Sequence, residues 1–532
     1  MQVSKIIKYI NTIKYLSAEQ IYYQCRYRVY KSKIKWVDKS PAQRRIKKFL
    51  TSWLDKIAYA DEEFINFLNL NKKYKLPDLW KDESEDKLWQ YNVHYFDCLN
   101  NPDVMENTKK NLINSWIESN QINSIGYDAY PTSLRIVNWC KWLVKEGKNS
   151  EKIKNALYSQ CLYLAKNIEY HISGNHIFSN IKALIFSGLF FEGDESNRWF
   201  KKALRLLKRE INRQILPNGG HYELSPMYHH IVLEDLLDIL AFCKAYDREL
   251  GFSIEEIVIK MLNWSWSMSH PDGEISFFND SCIGIAGTFK DLESYAIKCG
   301  IQYEKNLLIE CDGYYSIKKK KYCLIFDAAD MGSTSQPAHA HADSLSFELS
   351  VHGERLFVNL GTSTYHDQAL RQKQRSTYSH NTLVVDSENS SQVWSKFRVA
   401  NRARITARNR RVDSDCFFLE ATHDGYHSPH KRKLVGNESN IIISDEICSS
   451  HEKNVEIFFY VHPSVQVEKK NKNITLTIGL ARVELKSTYP MEVSDSRYYP
   501  SFNKEIPNKC ISIKAQKVKH LKSNVEIQIA VS

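Results

Sequence analysis

Three ionisable side chains, His339, His341 and Asp343, stand at alternate positions in the run Pro-Ala-His-Ala-His-Ala-Asp over 337–343. An extended chain turns alternate residues to one face, and 344–350 then alternate polar and apolar as a half-buried strand does. The spacing predicts a strand that presents all three groups together. A cluster this polar is costly to bury unsatisfied, so it is expected to bind a metal, bind a charged ligand or move protons. The bland alternative is a solvated loop.

Polar residues gather at three further places. Tyr127, Tyr130 and Arg135 precede an aromatic helix at 136–142; a guanidinium beside tyrosines can grip a carboxylate or sulfate through its planar fork, or simply bond loop carbonyls. Asn175 and His176 fall where a loop becomes a helix, a position for a capping amide or for side chains entering a cleft. His221, Glu223, Tyr228, His229 and His230 crowd into ten positions ahead of another apolar helix. Acid/base work needs a tunable proton, and a tyrosine near cations can be drawn down from about 10.

The elements that must position these groups fall into two halves. At 532 residues the chain is expected to form two or three domains. Up to about 310 the apolar period is helical, as in 153–168 and 232–241, with similar segments at 43–70, 104–119, 132–145, 181–191, 200–214 and 254–268. Strands are scarce there, which predicts antiparallel helix pairs. After Gly313 short alternating runs bounded by turn residues predict an antiparallel sandwich. The expected domains are 1–310, opening with a basic helical segment at 1–45, and 311–532.

A net charge of +11 with 64 aromatic residues suits a polyanion. Neither a basic-region helix, zinc-finger spacing nor a Gly-rich phosphate loop accompanies the charge, so an acidic polysaccharide is expected rather than nucleic acid. The twelve cysteines are scattered without a CxxC pair, which fits reduced thiols. With no evident signal peptide and no apolar run of membrane-spanning length, the expectation is a cytoplasmic protein, with a periplasmic one as the alternative.

Together the motifs resemble the heparinase II/III and oligoalginate lyase family. Gly174, Asn175 and His176, the run Glu-Leu-Ser-Pro-Met-Tyr-His over 223–229 and the run over 337–347 stand in the family's order; 361–365 and 379–386 also match. The resemblance spans about 75–460. It implies an incomplete (α/α) toroid followed by an antiparallel β-sandwich, with β-elimination on a uronate polysaccharide between them. It further implies that Asn175, with His176, holds the uronate carboxylate, that Tyr228 protonates the leaving oxygen, and that His339 is its partner base or acid according to the C5 epimer, or stabilises the enolate where one tyrosine serves both steps. Tyr127, Tyr130, Arg135, His221, Glu223 and His229 are expected to contact substrate. A structural zinc is implied on His341, the residue at 359 and His380. Asn359 stands where the family often has aspartate, which leaves three alternatives: a weakened site, one completed by Asp343, or hydrogen bonds in place of the metal.

Two other readings compete. His-Ala-His-Ala-Asp would also suit a barrel-type metal hydrolase, but such a fold needs helices between the strands that follow. A polysaccharide-binding or assembly protein with a lyase-like cleft is the second, although binding alone has no use for a tyrosine–histidine pair. The substrate and the oligomeric state stay open. A role with the cell's own surface glycan, such as a capsule or O-antigen, is the physiological expectation.

Overall fold

The apolar stripes of the first half form helices that pack in succession: Glu106–Ser119, Ala129–Lys145, Glu151–Lys166, Gly174–Phe190, Asp194–Gln214, Pro226–Ala245, Glu255–Ser267 and Phe289–Lys298. A computed structural model describes residues 2–30, 32–48, 51–119, 124–145 and 150–531. The Gly174–Phe190 helix is the hub, buried at every residue except His176. It packs against Ala129–Lys145, Asp194–Gln214 and Pro226–Ala245. At Gly188 a Cβ would stand 2.7 Å from the Ser196 carbonyl, so glycine is what lets the next helix approach. The result is an incomplete (α/α) toroid.

From Glu310 onward the chain is a β-sandwich. Its spine is the antiparallel pair Asn440–Val461 and Ile506–Val531, in register at Ile443 with Val525 and Ile457 with Ile513. Strands His430–Gly436, Phe417–His423 and Ile405–Val412 extend one side. Joined through Glu354–Phe357 at Val461, Phe347–Val351, Tyr322–Asp327 and Tyr314–Lys318 extend the same edge from the opposite end of Asn440–Val461. Leu324, Phe347, Leu419, Ile443, Ile511 and Ile527 fill the core between them.

Two expectations need correction. The described residues of 43–70 are not helical: Tyr59–Ala60, Phe64–Phe67 and Leu70–Lys73 form a three-stranded antiparallel sheet. Ile65 and Phe67 alternate inward, Asp61 caps the first turn by accepting from the Glu63 and Phe64 N–H groups, and Leu68 and Asn69 take the left-handed backbone (φ 55° and 63°) that closes a tight hairpin. The period there was two, not 3.6. The run 337–343 is likewise not a strand; the strand begins only at Phe347, so His339 and His341 do not share a face.

Candidate active site

A cavity of about 640 Å³ opens where the toroid meets the sandwich. The helical half contributes Tyr130, Asn175, His176 and Tyr228, and the sandwich half contributes His339 and Tyr365. The hairpin at 66–69 supplies a further wall. Its tip is tied to the sandwich: Asn69 donates to the Phe502 carbonyl at 2.9 Å, and Asn503 donates to the Leu68 carbonyl at 3.0 Å.

Tyr228 is placed by the start of its helix. Pro226 takes the first helical position and the Ser225 hydroxyl accepts from the Tyr228 N–H at 3.2 Å. The phenol bonds the Tyr365 hydroxyl at 3.0 Å and its ring stacks on His339, centroids 3.8 Å apart. Burial, more than the neighbouring Tyr365 and Asp280, pushes the Tyr228 hydroxyl well above its usual range, so at rest it keeps its proton.

The Nδ1 of His339 is held by the Glu223 carboxylate. Hydrogen bonding to an acceptor-only carboxylate makes Nδ1 the protonated nitrogen and leaves Nε2 for a ligand in the cavity. Burial pushes Glu223 up, but His339, His221 and His176 together outweigh it and hold the carboxyl below its usual value. Glu223 owes its room to a glycine: a Cβ at Gly174 would lie 2.5 Å from Glu223 Oε1.

Ser173 and Gly174 both take positive φ (66° and 59°) and turn the chain abruptly into the hub helix. Its first turn therefore delivers Asn175 and His176 to the cavity. Asn175 Nδ2 donates to the Tyr130 hydroxyl at 3.3 Å, and His176 stacks on Tyr130 while its Nδ1 meets Glu169 at 3.1 Å.

Deeper in the cavity the hub helix, Ala129–Lys145, Pro226–Ala245 and the chain at Lys56 present buried charges. Lys182 contacts Asp235 and Asp238 at 2.6 Å each, Lys141 contacts Asp238 at 2.7 Å, and Lys56 pairs with Glu234. Each of these lysines is thus matched by a carboxylate. The sequence signal was available: Lys182 is the one Lys, Arg, Asp or Glu in the hub helix.

Of the six expected substrate contacts only Tyr130 lines the cavity. Arg135 is fully buried and donates to Gln160, the His94 and Gly126 carbonyls and Thr132, with its guanidinium 4.1 Å from the Trp116 ring. Tyr127 packs edge-on against Tyr163 in the same core. His221 bonds Gln214 at 3.0 Å, and His229 spans the His221 N–H and the Met261 carbonyl. Adjacent helical residues point about 100° apart, so Tyr228 faces the cavity while His229 faces the helix behind. Glu223 reaches the site only through His339.

Asp280, Tyr365 and Glu169 were not among the expected site residues. Asp280 accepts from both Arg371 nitrogens and from His341 Nε2 at 2.7 Å. Burial pushes it up, but Arg371 and His341 prevail and keep it ionised. Its backbone N–H bonds the His339 carbonyl at 2.9 Å, and its carbonyl accepts from Ser225.

Behind His339 lies a second polar group: donor atoms of His341, Asp343 and His380 all lie within 4.8 Å of one another. His380 Nδ1 faces the Ser376 carbonyl at 2.8 Å and His341 Nε2 faces Asp280, so both of those nitrogens carry protons. Burial pushes His341 down to about 4, which keeps the ring neutral. His341 Nδ1 and His380 Nε2 then turn lone pairs toward each other across 3.1 Å. Two nitrogens bound at ~2.0–2.1 Å to one tetrahedral ion would be roughly 3.3–3.4 Å apart, so the donor set fits a cation. Asn359 is occupied elsewhere: its side-chain oxygen accepts from the Asn381 N–H at 3.1 Å. Asp343 is the acidic group that would complete such a set.

Residues 311–530 match the family described as Heparinase II/III-like, C-terminal, and residues 151–296 match Heparinase II/III N-terminus. The chain belongs to the heparinase II/III family. Among curated heparinase II/III relatives, the heparin-sulfate lyase of Bacteroides stercoris is 23% identical over 342 residues, covering 58% of this chain and 48% of the relative. That of Pedobacter heparinus is 27% identical over 263 residues, covering 44% and 39%. The chain thus spans about half the length, or less, of the curated relatives it matches. The crystal structure of heparinase III shares the fold, with a TM-score of 0.70 at 17% identity over 85% of this chain and 79% of that one.

Proposed function

We propose that this heparinase II/III protein is a polysaccharide lyase that cleaves a uronate-containing acidic polysaccharide by β-elimination. The observation that carries the reading is the stacked pair of Tyr228 and His339 beside Asn175 and His176 in one cavity. The curated relatives, named heparin-sulfate lyases, support the substrate class.

In this scheme Asn175 and His176 take the uronate carboxylate, because Lys56, Lys141 and Lys182 are already ion-paired. Neutralising that carboxylate acidifies the C5 proton. His339, with Nδ1 fixed by Glu223, removes the proton at Nε2. The electron pair forms the C4–C5 double bond as the C4–O bond breaks, and Tyr228, which burial keeps protonated, gives its proton to the leaving oxygen. Tyr365 hydrogen-bonds Tyr228 and is placed to orient that proton. A cation on His341, Asp343 and His380 would act structurally, fixing the loop that carries His339. We further propose a role with the cell's own surface glycan, a capsule or O-antigen.

The test is ultraviolet absorbance of the unsaturated uronate during incubation with heparan sulfate, alginate, hyaluronan and acidic bacterial capsules. One polymer should give a rise that Tyr228→Phe abolishes while keeping binding. Binding to a polymer without turnover in the unaltered protein would make it a binding protein instead.

A further inference from the structure

Residues 1–35 hold eight Lys or Arg against a single Glu, and so carry seven of the chain's eleven net positive charges. The same stretch concentrates exposed apolar surface. Of the sixteen large apolar side chains exposed among the described residues, nine lie between Ile6 and Tyr30. Neither property serves the cavity.

The helix Ala18–Val29 has a docked face and an outer face. Gln20 is buried and donates to the Ser335 carbonyl at 3.2 Å, Tyr23 stacks on Tyr170 at 4.5 Å and Tyr27 stacks on His171 at 4.4 Å. On the opposite side Ile21, Tyr22, Cys25 and Val29 follow the i, i+1, i+4, i+8 spacing of one helical stripe. All four are exposed, Val29 at 88%. Arg26 and Arg28, both exposed, flank that stripe on its two sides.

The helix before it, Gln2–Ile13, repeats the design. Its inner side rests on the Val393–Trp394 and Arg398–Val399 hairpin: the Thr12 hydroxyl donates to the Val399 carbonyl at 3.2 Å, and Tyr9 meets Trp394 edge-on at 4.9 Å. Ile6, Ile7, Ile10 and Ile13 point away, each more than half exposed.

We propose that residues 6–30 bind the surface of an anionic lipid bilayer, with the isoleucine and valine stripes in the acyl boundary and the lysines and arginines among the headgroups. An acidic polysaccharide would use the charges but leave the isoleucines in water, and a second copy would bring like charge against like. A bilayer of anionic lipid satisfies both features at once. Among the described residues no helix is long and apolar enough to cross a membrane, so the attachment is interfacial. The receiving hairpin also carries Lys396 and Phe397, which line the cavity, so attachment would hold the cavity beside the lipid surface.

The test is flotation of the full chain with phosphatidylcholine vesicles, with and without phosphatidylglycerol. Two variants accompany it, Ile10→Ser/Ile13→Ser/Ile21→Ser/Val29→Ser and Arg26→Gln/Arg28→Gln. Binding should need phosphatidylglycerol, weaken with salt and fall by about tenfold or more in each variant. Circular dichroism and unfolding midpoints should stay unchanged, since every altered side chain is exposed. Failure to bind anionic vesicles overturns the proposal, as does binding indifferent to the serine variant. Self-association that disappears in the serine variant, without vesicle binding, would assign the face to a second copy. No arm depends on turnover, so the result stands apart from the lyase reading.

Discussion

His339 lies face to face with Tyr228, the two ring planes within 14° of parallel, and Glu223 grips its Nδ1 from behind. These two candidates for proton transfer come from different halves of the chain, one from the first turn of a helix and one from an irregular loop.

Glu223→Gln should therefore lower kcat by about 10²–10³-fold with KM changed little, because the amide no longer fixes the tautomer or supports the imidazolium. Steady-state kinetics on the substrate found in the absorbance screen would decide this. A raised KM at unchanged kcat would mean that Glu223 touches substrate directly.

The candidate cation site on His341, Asp343 and His380 makes a separate prediction. Mass spectrometry of the purified protein should find one divalent metal per chain, lost in His380→Ala and kept in Asn359→Ala. Metal that survives in His380→Ala but not in Asn359→Ala would restore position 359 as the ligand.

Stability should fall on the acid side before the carboxylates titrate. Burial pushes His221 and His230 down to about 4 and His94 down to about 3. Their folded values lie below the unfolded value of about 6.5, so the unfolded chain binds more protons and stability rises with pH in this window. Full stabilisation is present above about 6.5 and is lost as pH falls toward 4, by at most about 1.4 kcal/mol per histidine per pH unit. Urea unfolding between pH 7 and 5 should show this decline; a flat profile would contradict it.

Arg135→Met should cost about 2–4 kcal/mol of stability, since the His94 and Gly126 carbonyls lose their donor inside the core. KM should stay within about twofold of the unaltered protein. A large rise in KM without loss of stability would return Arg135 to the substrate.

Much of this arrangement was legible in the residues, and what was not has identifiable causes. Helical and alternating periods report which face of an element is buried, which is enough to separate toroid from sandwich. They do not report which elements meet. Arg135 beside tyrosines has the composition of an anion grip, yet its donors turn to carbonyls of 94 and 126, a tertiary contact no spacing encodes. The 59–73 sheet was masked because its isoleucine and phenylalanines fit both periods over so short a run, and the left-handed pair Leu68–Asn69 carries no glycine to announce a turn. Asp280 is not legible because its partners come from 225, 339, 341 and 371.

In the proposed lyase scheme that same hairpin would separate chemistry from choice of polymer. Its tip at 66–69 forms a cavity wall and is clamped to 502–503 by side-chain amides, yet it shares no hydrogen bond with Glu223, Tyr228 or His339. Asp280 bonds the His339 carbonyl and the Ser225 cap below Tyr228, so a change there would disturb both rings together, whereas a change in the hairpin would leave those bonds in place. On that reading, a change of wall residues would alter which glycan fits while leaving the stacked Tyr228 and His339 in place.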